Sequence, residues 1–210
     1  MTMTRTTSCE RSHPCKNGLR EPSGIIFDCD GTLADTMPLH YKAWQAIATR
    51  HRFSLTWDRF YSLGGIPSRD IVKTISDEQG IPLDLQAVAH EKEVEYLPLI
   101  PQVQPIGPVL SIARKYHGTI PLAVASGGSH RVIEHVLRHL NILSLFDAIV
   151  TSEDVANQKP APDIFLEAAR RIGVAPESCW AYEDTDFGMQ AIRAAGMKAI
   201  DVREMLQMHG

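Results

Sequence analysis

The first ordered pattern in the chain is an apolar run of four, Gly24-Ile25-Ile26-Phe27, stopped by Asp28-Cys29-Asp30-Gly31-Thr32. Runs this short, ended by Asp and Gly, predict a strand buried on both faces of a parallel sheet. From Ile106 onward the rhythm is regular. Val109, Leu110, Ile112 and Ala113 recur at helical spacing, and residues 120–125 form the next apolar run. Ser129 stands at an N-cap position before Val132, Ile133, Val136, Leu137 and Leu140, which share one helical face. Residues 146–150 read as a strand. Pro162-Asp163 opens a helix carrying Ile164, Phe165, Ala168 and Ile172, and Gly173 suits its stop. Residues 179–182 read as a strand, 187–195 as a helix ended by Gly196, and 198–202 as the last strand. This alternation predicts an α/β fold, a Rossmann-like parallel sheet with helices on both faces.

Between residues 37 and 105 the rhythm breaks. No strand pattern is present, and segments 41–47, 68–79 and 85–97 read as helices. A helical insertion straight after the first strand predicts a small all-helical cap domain over the sheet's C-terminal edge, where open parallel sheets bind ligands. The expected organisation is a disordered leader at 1–22, a core domain at 23–37 and 106–210, and a cap domain at 38–105. The leader carries Arg, Ser and Thr but no apolar stretch, so it does not read as a secretory signal.

Charge narrows the range of functions. Lys and Arg number 21 against 25 Asp and Glu, a net charge of −4. A mildly acidic chain is a poor general binder of nucleic acid. No apolar run approaches the roughly 18 residues of a membrane-spanning helix. Cys9, Cys15, Cys29 and Cys179 are too few for a disulfide framework in a chain this long. Cys29 and Cys179 lie in apolar runs and are expected to be buried. A reducing, cytoplasmic location is expected, with no nucleic-acid or membrane partner and a monomer or weak homodimer.

The strand ends carry the chemistry. Asp28 and Asp30 end the first, Ser126-Gly127-Gly128-Ser129 follows the second, Lys159-Pro160 follows the third, and Glu183-Asp184 ends the fourth. All four would deliver polar groups to one edge. Carboxylates gathered there repel one another unless a cation sits among them, and a few hard oxygen ligands favour magnesium. The lysine and the amides of a Ser/Gly turn at a helix start suit a phosphate dianion. Two aspartates two positions apart would face opposite ways in a flat strand, so the chain must bend at Asp30-Gly31.

Asp28-x-Asp30-Gly31-Thr32, then Ser126, then Lys159-Pro160-x-Pro162, then Glu183-Asp184, in this order, resembles the haloacid dehalogenase superfamily. Lys159-Pro160-Ala161-Pro162-Asp163-Ile164-Phe165, together with the helical insertion, resembles the branch with a small helical cap. That branch includes β-phosphoglucomutases and sugar-phosphate phosphatases. The stretch 182–196, with Ala199-Ile200-Asp201-Val202-Arg203 after it, is most similar to bacterial fructose-1-phosphate and 6-phosphogluconate phosphatases.

The expected activity is therefore magnesium-dependent hydrolysis of a small phosphorylated sugar, with a β-phosphoglucomutase, an isomerase, as the alternative. Asp28 is expected to attack phosphorus and become an aspartyl phosphate, and Asp30 to serve as general acid and then base. Mg2+ would be held by Asp28, the Asp30 carbonyl, Glu183 and Asp184. Lys159, Ser126 and the Gly127 amide would hold the phosphoryl oxygens. In the cap, Thr36, His40, Arg69 and Lys92 are the candidate substrate residues. Arg69 follows a Gly64-Gly65-Ile66-Pro67-Ser68 stretch resembling a loop that carries an arginine to the far end of a phosphorylated substrate. Trp44 reads as an aromatic of the cap's own core. His130, His135 and His139 read as a polar helix face, and Asp186 as a helix cap.

Overall fold

The computed structural model describes residues 21–207. Residues 1–20 and 208–210 lie outside it, and with them nearly all of the expected leader, Cys9 and Cys15. Five parallel strands form the main sheet: β1 (Gly24–Phe27), β4 (Leu122–Ser126), β5 (Ala148–Thr151), β6 (Cys179–Glu183) and β7 (Lys198–Asp201). Their order is β5-β4-β1-β6-β7. β1 therefore sits at the centre, paired with β4 on one side and β6 on the other. All four residues of β1 are buried. Ile25 and Phe27 face one core layer and Ile26 the other, as the two-residue period of a strand requires.

Helices α5 (Gly107–Tyr116) and α6 (His130–His139) cover one face through Val109, Leu110, Ile133 and Leu137. α7 (Asp163–Arg171) and α8 (Asp186–Ala194) cover the other through Ile164, Phe165, Ala191 and Ile192. Cys29 and Cys179 are both free thiols and buried, as expected. Among the described residues no helix is long and apolar enough to cross a membrane.

The helical insertion holds four helices rather than three: α1 (Met37–His51), α2 (Trp57–Ser62), α3 (Ser68–Gln79) and α4 (Leu85–Tyr96). α1 is twice as long as its apolar stripe suggested. A proline in its first turn starts it, and Arg52 ends it in the left-handed conformation at φ 59°. α2 is short and is started by Thr56, whose hydroxyl accepts from the Arg59 amide. Met37, Trp44, Ile47, Phe60, Ile71, Val72, Ile75 and Val88 give this unit its own apolar core.

Where the chain leaves and re-enters the sheet domain, two strands of two residues, β2 (Ala34–Asp35) and β3 (Gln104–Pro105), pair antiparallel. The absence of strands expected at the insertion's edge is thus corrected at Gln104–Pro105. A pair this short leaves no periodic trace in the sequence. A last helix, α9 (Val202–Gln207), follows β7 directly and begins where the last strand was expected to end.

Candidate active site

β1 stops at Phe27, and the next residues turn away from the sheet. Gly31 takes φ 83°, and a Cβ there would lie 2.3 Å from an Asp184 carboxylate oxygen, so glycine serves both the bend and the close approach. The bend expected at Asp30-Gly31 is present, and it separates the two aspartates. Asp28 points into the sheet's C-terminal edge and is 3% exposed. Asp30 points up toward the helical insertion.

Around Asp28 the strand ends converge as the sequence suggested. Lys159 Nζ donates to Asp28 Oδ1 and to Glu183 Oε2, both at 2.7 Å. All three side chains are almost completely buried. Asp28, Glu183 and Asp184 each place an oxygen within 4.8 Å of the others. Thr32 Oγ1 donates to Asp184 Oδ1 at 3.0 Å, and Tyr61 OH, from the helical insertion, donates to Oδ2 at 3.3 Å.

Glu183 is held hardest. Its Oε1 accepts from the Asp184 and Thr185 amides and from Thr185 Oγ1, at 2.8–3.1 Å. A Cβ on Gly188 would lie 2.0 Å from its Oε2. Glu183 therefore anchors Lys159 while keeping its place in the carboxylate cluster.

The electrostatics record crowding. Burial pushes the Asp28 carboxyl well above the usual range, and Glu183 and Asp184 add to it, while Lys159 works against the rise. Burial, then Glu183, raises Asp184 to about 7, opposed by the Thr32 hydrogen bond and Lys159. Burial would lower Lys159, but Asp28 and Glu183 outweigh it and keep the ammonium charged. With all three carboxylates ionised, one ammonium would leave two negative charges uncompensated in a buried site, and two of the three are pushed up accordingly. That deficit, and an all-oxygen donor set, fit a divalent hard cation such as Mg2+.

Asp30 belongs to a different set of contacts. Its Oδ1 accepts from Thr36 Oγ1 at 2.7 Å and from His40 Nε2 at 3.0 Å, and Ser126 Oγ donates to its Oδ2 at 3.4 Å. Behind His40, Lys92 Nζ lies 2.7 Å from Nδ1, and the Tyr96 ring stacks on the imidazole at a centroid distance of 3.8 Å. Burial and Lys92 push His40 below its ordinary value. Asp30 is lowered against its own burial, by His40, Thr36 and Lys92. The two directions conflict if His40 is counted as charged toward Asp30. An ammonium donating to Nδ1 decides it: that nitrogen is bare, the ring is neutral, and the hydrogen bonds plus the Lys92 charge hold Asp30 down. Burial lowers Lys92 itself to about 8, against the pull of Asp30 and Glu93.

The two groups face each other across a cleft. A cavity of about 70 Å³ is lined by Asp28, Asp30, His40, Lys92, Ser126 and Gly127. Trp44 lines it too, while packing in the apolar core of the insertion as expected. Arg69 is exposed and lies on a second, outer cavity of about 300 Å³ that shares Asp30, His40, Lys92 and Gly127. Asp28, Lys159, Glu183, Asp184 and Ser126 thus meet at the sheet edge, Thr36, His40 and Lys92 meet on Asp30, and Arg69 stands apart. Tyr61, Thr185 and Gly188 were missed. Thr185 follows Glu183-Asp184 directly and could have been found from a carboxylate needing donors; Gly188 lies in the first turn of the next helix. Tyr61 carries no local signal.

A family profile described as haloacid dehalogenase-like hydrolase matches residues 25–202. The chain belongs to the haloacid dehalogenase-like hydrolase family. It is a phosphoric monoester hydrolase with the family's α/β core and helical cap. It is 41% identical over 182 residues to the fructose-1-phosphate phosphatase of Escherichia coli, spanning 86% of this chain and 96% of that protein. It is 33% identical over 197 residues to the β-phosphoglucomutase of Bacillus subtilis, spanning 89% and 85%. Among solved structures, the β-phosphoglucomutase of Clostridium difficile superposes with a TM-score of 0.79 at 27% identity, covering 86% of this chain and 84% of that one.

Proposed function

We propose that this hydrolase is a magnesium-dependent phosphatase of small sugar phosphates, of the fructose 1-phosphate or 6-phosphogluconate type, working through an aspartyl phosphate on Asp28. The observation that carries the reading is the pairing of a buried Asp28, held at 2.7 Å by Lys159, with a second aspartate turned into a cleft under the cap. The fructose-1-phosphate phosphatase relative supports the substrate class.

In this reading Asp28 attacks phosphorus while Lys159 fixes one of its oxygens and leaves the other free. Ser126 Oγ and the Gly127 amide hold the phosphoryl oxygens on the side facing Asp30. Asp28, Glu183, Asp184 and the Asp30 carbonyl would hold Mg2+, which would supply positive charge against the phosphoryl oxygens. Asp30 gives a proton to the leaving sugar oxygen and then takes one from water. The free site holds its pKa low; a phosphate dianion arriving beside it raises its proton affinity, so that it takes a proton from solvent before giving it to the leaving oxygen. Residues 38–105 act as a moving cap, with Thr36, His40 and Lys92 setting Asp30 and Arg69 at the outer end of the cleft.

The isomerase reading keeps support from the β-phosphoglucomutase relatives. The two differ in what takes the phosphoryl group from Asp28, water or a sugar hydroxyl. Phosphate release is measured across fructose 1-phosphate, 6-phosphogluconate and β-glucose 1-phosphate, with glucose 6-phosphate assayed when β-glucose 1-phosphate is given with a trace of its bisphosphate. Phosphate release with magnesium is expected. Glucose 6-phosphate as the main product would overturn the phosphatase reading in favour of the isomerase.

A further inference from the structure

Beyond the phosphate end, the cleft widens into the outer cavity of about 300 Å³, and its far wall is where cap and core touch. The core side of that wall is the start of α6. Ser129 caps it, its Oγ accepting from the Val132 amide at 3.4 Å. The start of a helix with free amides attracts anions. Here it already has carboxylates of its own. Glu93, on α4 of the cap, accepts from Ser129 Oγ at 2.8 Å, and Glu153 accepts from the His130 amide at 2.7 Å. Both carboxylates line the outer cavity. Arg69 lines the same cavity and has no ion-pair partner among the described residues.

Adjacent positions on a helix point about 100° apart, and α4 uses that. Lys92 turns inward and is buried on His40, while Glu93 turns toward α6 and is half-buried. Lys92 thus lines both the inner and the outer cavity, whereas Glu93 lines only the outer one.

We propose that Glu93 is a specificity-determining residue. By reaching from cap to core onto Ser129, it sets a negative wall at the far end of the closed cleft. That wall accepts a sugar whose far end carries hydroxyls and excludes one whose far end carries a second phosphate. A hydroxyl donates to a carboxylate in a charge-assisted hydrogen bond, whereas a phosphate dianion facing the half-buried Glu93 is repelled, and Arg69, exposed and screened by solvent on the same cavity, offsets that only in part. This rests on the sugar-phosphatase reading and sharpens it to sugar monophosphates. It also works against isomerase chemistry, which must hold a sugar bisphosphate in the same cleft.

The test is kcat/KM for fructose 1-phosphate and for fructose 1,6-bisphosphate, which presents a far-end charge in either orientation. It is measured by phosphate release with magnesium on the full chain, for wild type and Glu93→Gln. The carboxamide oxygen can still accept from Ser129, so the contact stays and the charge goes. Wild type is expected to favour the monophosphate by about tenfold or more, and Glu93→Gln to narrow that preference by about tenfold, chiefly through KM for the bisphosphate. Glu91→Gln is the control. Glu91 pairs with Arg50 and His51 on the outer face of the same helix, and its variant should leave the ratio unchanged.

Equal use of both substrates by wild type, an unmoved ratio in Glu93→Gln, or a ratio moved as far by Glu91→Gln would each overturn the proposal while leaving the phosphatase reading intact. Failure of wild type and variants to hydrolyse either substrate would overturn the phosphatase reading, and the filter with it.

Discussion

Gly127→Ala tests whether the cap must close for catalysis. Gly127 is not among the glycines in the left-handed region, so its backbone accepts alanine without strain. The new methyl would instead meet the cap. Its Cβ would lie 2.5 Å from the Gly65 carbonyl oxygen, where ordinary contact begins at 3.4 Å, so the two loops must part by about 0.9 Å. The cap loop has little room to yield sideways. A Cβ at Gly65 would sit 2.8 Å from Thr185 Oγ1, one at Gly64 would sit 2.9 Å from Thr185 Cγ2, and Gly65 itself holds φ 88°.

Displacing the cap by that amount moves His40 and Lys92 relative to Asp28. A misplacement of about 1 Å can cost on the order of a hundredfold in rate. The expected result is a fall of about that size in kcat/KM for fructose 1-phosphate, with Tm nearly unchanged because no core packing is lost. The assay is phosphate release from fructose 1-phosphate and, in parallel, from acetyl phosphate, which is too small to need the cap. Acetyl phosphate turnover should fall far less. Full activity on the sugar phosphate would refute the closure argument. An equal loss on both substrates would move the damage from the cap to the phosphate-holding turn.

Three further outcomes follow from the carboxylate cluster. Chelation should abolish turnover and magnesium restore it. Because Asp28 and Asp184 are raised, each adds stability below its ordinary value and loses it as pH rises, for Asp184 between about 4 and about 7. His40 is lowered and works the other way at acid pH, so the clean reading is the magnesium-induced rise in Tm, expected to be larger at about pH 8 than at about pH 5.5. An equal rise at both would contradict the cluster's role as the cation site. Gly188→Ala should push Glu183 off Lys159, since the methyl would lie 2.0 Å from its oxygen. The expected cost is about 1–3 kcal/mol of stability, read in a denaturant titration; unchanged stability would mean that Glu183 moves aside freely.

The sheet and the cluster at its C-terminal edge were legible because the sequence repeats one device: an apolar run followed at once by Asp, Ser or Glu. Each of β1, β4 and β6 delivers its polar group to the same edge by that device. What was hidden lacked local periodicity. β2 and β3 are two residues each, α2 is a six-residue helix set by one threonine, and α9 starts inside what read as a strand. Long-range contacts were equally hidden. Tyr61 meets Asp184 across 123 positions and Glu93 meets Ser129 across 36, and neither pairing leaves a mark on its own segment. The Lys92–His40–Asp30 chain was readable only as three separate candidates. Folding α1 against α4 is what lines them up.

The central claim is that Asp28 takes the phosphoryl group. The most direct measurement is magnesium-dependent phosphate release from fructose 1-phosphate by wild type and by Asp28→Asn. The substitution is neutral and of equal size, in a site where burial already disfavours the charged carboxyl, so the variant should fold with a Tm at or above that of the metal-free wild type. A carboxamide cannot form the acyl phosphate. Turnover is expected from wild type, and less than about a thousandth of it from the variant. A folded Asp28→Asn that keeps more than about a hundredth of the wild-type rate would contradict the account.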